Sequence, residues 1–243
     1  MSVLAVEGLT VFYGPVRGVE NVGLTVDQGE IVALLGANGA GKSTVLQAIS
    51  GLVKPRTGQI TFNGQTLHGM SAARRVKQGV VQVPEGRRIF ASLTVRENLE
   101  LGSYAFSLGS AARRERISDV LEHFALLRPH IDKLAGMLSG GEQQLLAIAR
   151  AMMARPKLLM VDEPSLGLAP QMIDSVYELL VDIAAGGTAI LLVEQNVTLA
   201  LEITKRAFIL QHGSLALSGN SAELADDPRV IAAYLGSGPS GGE

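Results

Sequence analysis

LLGANGAGKSTVL, residues 34–46, is the stretch that decides the fold. The apolar run Ile31 to Leu35 leads into it, and Val45 to Ile49 continue with apolar residues at helical spacing. A glycine-rich turn between a strand and a helix, with the spacing G-x-x-x-x-G-K-[ST] from Gly36 to Ser43, is the pattern of a phosphate cradle. Glycines have no Cβ and tolerate positive φ, so successive backbone N–H groups turn inward as an anion nest. A helix beginning near Lys42 aims its positive end at the same point. The cradle comprises Gly36, Ala37, Asn38, Gly39, Ala40, Gly41, Lys42, Ser43 and Thr44. Lys42 is expected to reach the outer phosphates as a point charge, and the Ser43 hydroxyl to complete a magnesium shell.

The rest of the composition sets bounds on that reading. With 243 residues, 47% of them hydrophobic, the chain is long enough for a full-sized core. A net charge of −2 argues against a surface built for nucleic-acid phosphates, so nucleic acid is not an expected partner. The absence of cysteine removes disulfides and thiolate metal sites. The opening MSVLAVEGLTV has no basic segment followed by a long apolar one, and is not expected to act as a signal peptide. No stretch reaches the ~18 uncharged apolar residues of a spanning helix, so work at a membrane would require other chains to cross it.

Taken in order, Val3 to Val11 and Val19 to Val26 read as strands about a turn at Gly14-Pro15. Tyr13 sits just before that turn, a half-buried strand aromatic on pattern alone. Asp27-Gln28-Gly29 reads as a hairpin-like turn into the strand that feeds the cradle. Pro55 to Gly58 and Asn63-Gly64 bracket the strand Gln59 to Phe62. A helix from Ser71 to Lys77 and the strand Val80 to Val83 follow, then the loop PEGRRIFASLT. From Ala111 to Phe124, apolar residues Ile117, Val120, Leu121 and Phe124 define a one-faced helix. A helical insertion from about Glu85 to Ala154 is thus expected between strands of one sheet.

That insertion ends in LSGGEQQLLAIARAMMARP. Ser139 and Glu142 have capping-box spacing, so Ser139 is expected to cap a helix running to about Ala154. The motif is a good helix start; with Gly140 and Gly141 it also fits a second anion site built from free N–H groups. Lys157 to Val161 is a short apolar strand ending in Asp162-Glu163-Pro164, and acids at such a strand end are where α/β sheets present groups to ligands. Asp162 is a candidate magnesium ligand and Glu163 a candidate acceptor of a proton from attacking water. After a helix over Ala169 to Ala184, the apolar strand Thr188 to Val193 ends in Glu194-Gln195-Asn196. Gln195 fits either a terminal-phosphate contact or a plain polar cap. A hairpin over Phe208 to Leu217, helices from about Ser221 and over Pro228 to Leu235, and a disordered tail over residues 237–243 complete the chain.

The phosphate loop, LSGGEQ and LLMVDEP, in that order with a helical insertion between them, resemble the ATP-binding subunits of ABC transporters. More narrowly, VPEGRRIFASLTVRENL, DEPSLGLAP and LLVEQN look like the branched-chain amino-acid importer ATPases of the LivF type, with the urea importer ATPases as the nearest competitor. The resemblance implies an α/β fold, a P-loop NTPase core of ABC type with an antiparallel β subdomain and the helical insertion at about 85–154, in a single domain over 1–236. It implies ATP and Mg2+ as cofactors. In the family two subunits dimerise head to tail, and each ATP lies between the phosphate loop of one and the LSGGEQ of the other. Tyr13 then falls where the family stacks an aromatic on adenine. Asp162 falls on the metal, Glu163 on the water, and Ser139, Gly140, Gly141 and Glu142 on the partner's nucleotide. Implied partners are a second ABC ATPase subunit, identical or different, two transmembrane permease subunits and, indirectly, a periplasmic or extracellular solute-binding protein. The implied location is the cytoplasmic face of the membrane.

Three positions depart from the wider pattern. Glu85 stands where a glutamine usually meets magnesium, with Gln82 three residues earlier in the strand. A carboxylate also ligates magnesium but adds negative charge beside the γ-phosphate. Gln195 stands at the switch position usually held by histidine, and an amide donates a hydrogen bond but never becomes a cation near neutral pH. Leu168 replaces an aspartate after the catalytic glutamate. Arg87 and Arg88 read as a solvated pair or as a permease-docking pair. A GTP switch would need a guanine-reading N-K-x-D, which this sequence lacks; a translation or repair ATPase of this type would carry a second such domain or a long coiled coil.

Overall fold

The computed structural model describes residues 2–231. The expected helix end at Leu235 and the tail over 237–243 lie outside that range. Twelve-residue strands β1 (Ser2–Tyr13) and β2 (Val16–Asp27) form a hairpin, followed by β3 (Ile31–Leu35) and helix α1 (Lys42–Ser50). β4 (Thr57–Phe62) and the two-residue β5 (Gln65–Thr66) come next, then α2 (Ala72–Gln78) and β6 (Val80–Val83). Between β6 and β7 (Leu158–Asp162) the chain forms α3 (Val95–Gly102), α4 (Ser110–His123) and α5 (Gly140–Met152) with short 3-10 turns. The remainder is α6 (Pro170–Ala185), β8 (Ala189–Glu194), α7 (Val197–Ile203), β9 (Arg206–Gln211), β10 (Ser214–Asn220), α8 (Ser221–Ala225) and α9 (Pro228–Val230).

The strands form two sheets, an antiparallel one ordered β2-β1-β4-β5 and a six-stranded one ordered β10-β9-β3-β8-β7-β6. In the larger sheet every pairing is parallel except β9 with β10. Its central strands read as continuous apolar runs because both faces are covered. Ile31, Ala33 and Leu35 of β3 pack with the helices of the insertion and α6, whereas Val32 and Leu34 face α1 and the antiparallel sheet. β7 divides the same way, Leu159 and Val161 against Leu158 and Met160.

The Asp27-Gln28-Gly29 turn is not a hairpin, because it carries the chain from one sheet to the other. Arg206 of β9 closes the step. Its guanidinium donates to both oxygens of Glu30 at 2.8 and 2.7 Å and to the Thr25 hydroxyl and carbonyl at 3.1 and 3.3 Å. Turn chemistry alone does not say which neighbour the next strand will take.

The register aligns the business ends of the central strands. Leu35 lies opposite Glu194, and Asp162 opposite Val193. The loops leaving β3, β7 and β8 therefore emerge from one edge of the sheet, the carboxyl edge where parallel sheets bind ligands.

Candidate functional site

The cradle is built as its glycines require. Gly41 sits at φ 106, where an L side chain is strained, and a Cβ there would come within 2.5 Å of a Val19 methyl. Gly36 approaches the Leu210 carbonyl so closely that a Cβ would lie 2.6 Å from its oxygen. Gly41 is also the N-cap of α1 and offers no side chain, so the first N–H groups of the helix have no side-chain cap. Lys42 is 5% exposed, and its ammonium donates to the carbonyls of Gly36 at 2.7 Å and Ala37 at 3.3 Å and pairs with Glu163 at 3.2 Å. Tyr13, the last residue of β1, is 44% exposed, and its hydroxyl donates to the Gln47 side chain at 3.0 Å. Its ring leans on Gly18, beside Thr44, while the residue keeps a little under half of its surface open to solvent.

Glu163 follows β7 with φ at 48, the left-handed region that costs a non-glycine residue free energy. The backbone holds it there through Glu163 N–H donating to the Val193 carbonyl at 2.8 Å. Its carboxylate accepts from the Gln195 amide, 3.2 Å from either oxygen, and the same amide reaches the Asn38 side chain. Lys42, Glu163, Gln195 and Asn38 thus form one connected polar chain across three loops.

Asp162 is 5% exposed, and its Oδ1 is buried with no hydrogen-bond partner. Burial pushes its pKa up to about 6, with the charges of Glu163 and Glu85 adding to the effect and the Ser43 hydroxyl and Lys42 opposing it. An unpartnered buried carboxylate oxygen beside a serine hydroxyl fits a hard divalent cation. Asp162, Ser43, Gln82 and Glu85 line one cavity of about 390 Å³. Glu85 is exposed at its rim, while Gln82 accepts a hydrogen bond from Ser50. Among the described residues no cluster of three or more His, Asp or Glu side chains is arranged to hold a metal ion.

The LSGGEQ residues lie on their own, with no hydrogen bond to the cradle among the described residues. The capping box forms as read. Ser139 Oγ accepts from Glu142 N–H at 3.3 Å, and Ser139 N–H donates to Glu142 Oε2 at 2.8 Å. The helix ends at Met152, two residues short of the expected Ala154. Those bonds hold the Glu142 carboxyl below the usual carboxylate range despite partial burial, and His130 pairs with it at 3.0 Å. A Cβ on Gly141 would strike the Met172 side chain at 2.5 Å, and one on Gly140 would press on the Arg87 guanidinium at 3.1 Å.

Arg87 is not half of a solvated pair. It is half-buried, and its guanidinium reaches Gln143 Oε1 at 3.4 Å and the Gly167 carbonyl at 3.3 Å, joining α5 to the loop after Glu163. Only Arg88 is exposed, donating to the Glu85 carbonyl. Glu194 and His130 touch the site or its second motif and escape the sequence reading, which takes Arg87 only as one of a solvated or docking pair. Glu194 alone carried a signal, an acid ending an all-apolar run as Asp162 does.

The ABC transporter family profile matches residues 19–166, well over half of the chain. This chain belongs to the ABC transporter ATPase family. The ABC ATPase is 41% identical over 233 residues to the high-affinity branched-chain amino acid transport ATP-binding protein BraG of Pseudomonas aeruginosa, covering 96% of this chain and 99% of that one. It is 35% identical to the lipopolysaccharide export ATP-binding protein LptB of Haemophilus influenzae, over 97% and 98% of the two chains. Among solved structures it superposes on the ATP-binding cassette MJ1267 in its ADP conformation with a TM-score of 0.87, 25% identity, and coverage of 97% and 99%. The fold class and the ATPase assignment stand on these matches.

Proposed function

We propose that this ABC ATPase hydrolyses ATP with Mg2+ to drive uptake of branched-chain amino acids, through two permease subunits, at the cytoplasmic face of the membrane. The observation that carries the reading is the Glu163 carboxylate, shared at 3.2 Å between Lys42 and Gln195 and one residue from the unpartnered Asp162 oxygen. A γ-phosphate entering the cradle competes for Lys42 and frees Glu163 to accept a proton from water, with Gln195 orienting both. Asp162, Ser43 and Glu85 would hold magnesium, which when bound offsets the charge on the phosphate oxygens. Ser139, Gly140, Gly141 and Glu142 would complete the site of a second ATPase subunit, and Tyr13 would stack on adenine. Their separation from the cradle within one chain supports a site shared between two.

No helix among the described residues is long and apolar enough to cross a membrane. A groove of about 740 Å³ beside α2 and α3, with Leu93, Leu101 and the 85% exposed Tyr104 among the charged Lys77, Glu97, Glu100 and Arg113, supports docking of an amphipathic permease segment. The insertion at 85–154 would carry the motion to it. The solute-binding protein would meet the permeases from the other side. The similarity to BraG supports the choice of cargo over lipopolysaccharide.

The test is Glu163→Gln in the full-length chain. It should retain MgATP, trap a closed dimer and lose nearly all turnover; full ATPase activity would reject the role given to Glu163. Leucine-stimulated hydrolysis by the chain reconstituted with its permeases and binding protein tests the cargo.

A further inference from the structure

Glu194 ends β8 and is 2% exposed, with no ion-pair partner among the described residues. Its Oε1 accepts from the Ser165 backbone N–H at 3.0 Å and from the Tyr177 hydroxyl at 3.1 Å, and its Oε2 accepts from the Gln195 backbone N–H at 3.1 Å. The same buried charge, through space, pushes the Tyr177 hydroxyl further above its ordinary range, after burial itself. A buried carboxylate without a cation is a costly way to end a strand. What it holds explains the choice. Two of its donors are backbone groups of the segments that carry Glu163 and Gln195, and only a carboxylate presents two acceptor oxygens, one to each.

We propose that Glu194 is a positioning residue for ATP hydrolysis, tying the loop after β7 and the residue after β8 into one unit so that Glu163 and Gln195 keep a fixed separation. This rests on the roles given above to Glu163 and Gln195. Glu163 sits at φ 48, and its neighbours must over-determine that conformation for it to persist. Val193 O fixes the backbone of Glu163, and Glu194 fixes Ser165 two residues later. Gln195 is fixed by the same carboxylate. Without it, two loops leave adjacent strands independently, and small misplacements at a reacting centre are expensive in rate.

The experiment compares Glu194→Gln and Tyr177→Phe in the full-length chain. An amide keeps the volume, but its NH2 opposes one of the backbone donors, so Glu194→Gln should lower kcat about tenfold or more with ATP affinity within about twofold of wild type. Tyr177→Phe removes a buried bond to the same carboxylate and leaves both loops attached. It controls for a purely structural loss, and its kcat should stay within about twofold. The rate loss in Glu194→Gln combined with Gln195→Ala should fall well short of the product of the single losses, because one acts through the other. Wild-type kcat in Glu194→Gln, or losses that multiply, would overturn the inference. Amide hydrogen exchange on the unaltered chain supplies a readout free of any variant. Ser165 and Gln195 should show protection factors equal within about threefold, and a difference of about a hundredfold would overturn the shared anchor. An inactive Glu163→Gln beside an active Glu194→Gln sinks this inference alone; an active Glu163→Gln sinks the reading beneath it.

Discussion

Gln195 Nε2 stands 3.2 Å from each oxygen of the Glu163 carboxylate, and that carboxylate meets the Lys42 ammonium at the same distance. The proposed base is therefore held by an ammonium that, in the mechanism proposed above, nucleotide would claim and by an amide that would remain. Gln195→Ala should leave ATP binding within about threefold of wild type and lower kcat by about ten- to a hundredfold, since the lost contact orients the base rather than binding the ground state. Steady-state kinetics with a separate nucleotide-binding titration check this; a raised KM at unchanged kcat would assign Gln195 to phosphate binding instead.

Gly141 and Gly102 separate two kinds of crowding. A Cβ at Gly141 meets Met172 Cε at 2.5 Å, the far end of a flexible side chain, whereas one at Gly102 meets the Arg150 backbone oxygen at 2.0 Å. Gly141→Ala should destabilise by about 1–2 kcal/mol and be restored largely by Met172→Ala. Gly102→Ala has no side chain to remove and should cost about 3 kcal/mol or more. Urea denaturation midpoints of the four variants decide it, and failure of Met172→Ala to restore Gly141→Ala would place the strain elsewhere.

Much of this was readable from local sequence. β3, β7 and β8 read as apolar runs because a strand covered on both faces needs no alternation, and the Ser139–Glu142 box is complete within four residues. What escaped was long-range. Whether Asp27-Gln28-Gly29 turns back or crosses to a second sheet depends on Arg206, far along the chain. Arg87 reads as solvated until Gln143, 56 residues later, is beside it. Glu194 reads only as part of a strand end, because the Ser165 N–H that it accepts from lies on another strand's loop.

The Glu30–Arg206 pair makes acid stability a test of how the sheets are joined. Burial alone would raise the Glu30 pKa, but the Arg206 hydrogen bonds, the Asp27 backbone bond and the neighbouring cations overcome it and hold the carboxyl below 4.5. A lowered folded-state pKa contributes stability that is fully present above the unfolded value and is lost as pH falls through the folded one. Because Arg206 is 34% exposed, the loss in Glu30→Gln should be about 2 kcal/mol near neutrality, less than for a fully buried pair. The gap in thermal midpoint between wild type and variant should close as pH falls below about 4. A gap independent of pH would show that packing, not charge, joins the sheets.

Asp162 titrates in the opposite sense. Its pKa is raised to about 6, first by burial and then by Glu163 and Glu85, so the metal-free fold binds a proton between 3.8 and about 6 that the unfolded chain has released. Stability must then fall as pH rises through that window, and by Coulomb and desolvation bookkeeping the charged form costs roughly 2–3 kcal/mol. Asp162→Asn removes the charge while keeping the shape. In chelator it should be more stable than wild type by roughly 1–2 kcal/mol at about pH 8 and equal to it below about pH 4. Added MgATP should reverse the order, stabilising wild type by mass action and the variant far less, because the carboxylate that burdens the metal-free chain is the one proposed above to hold the cation. Denaturation curves at the two pH values, with chelator and with MgATP, measure both effects. A variant no more stable than wild type in chelator at about pH 8 would mean that Asp162 is already satisfied without a cation.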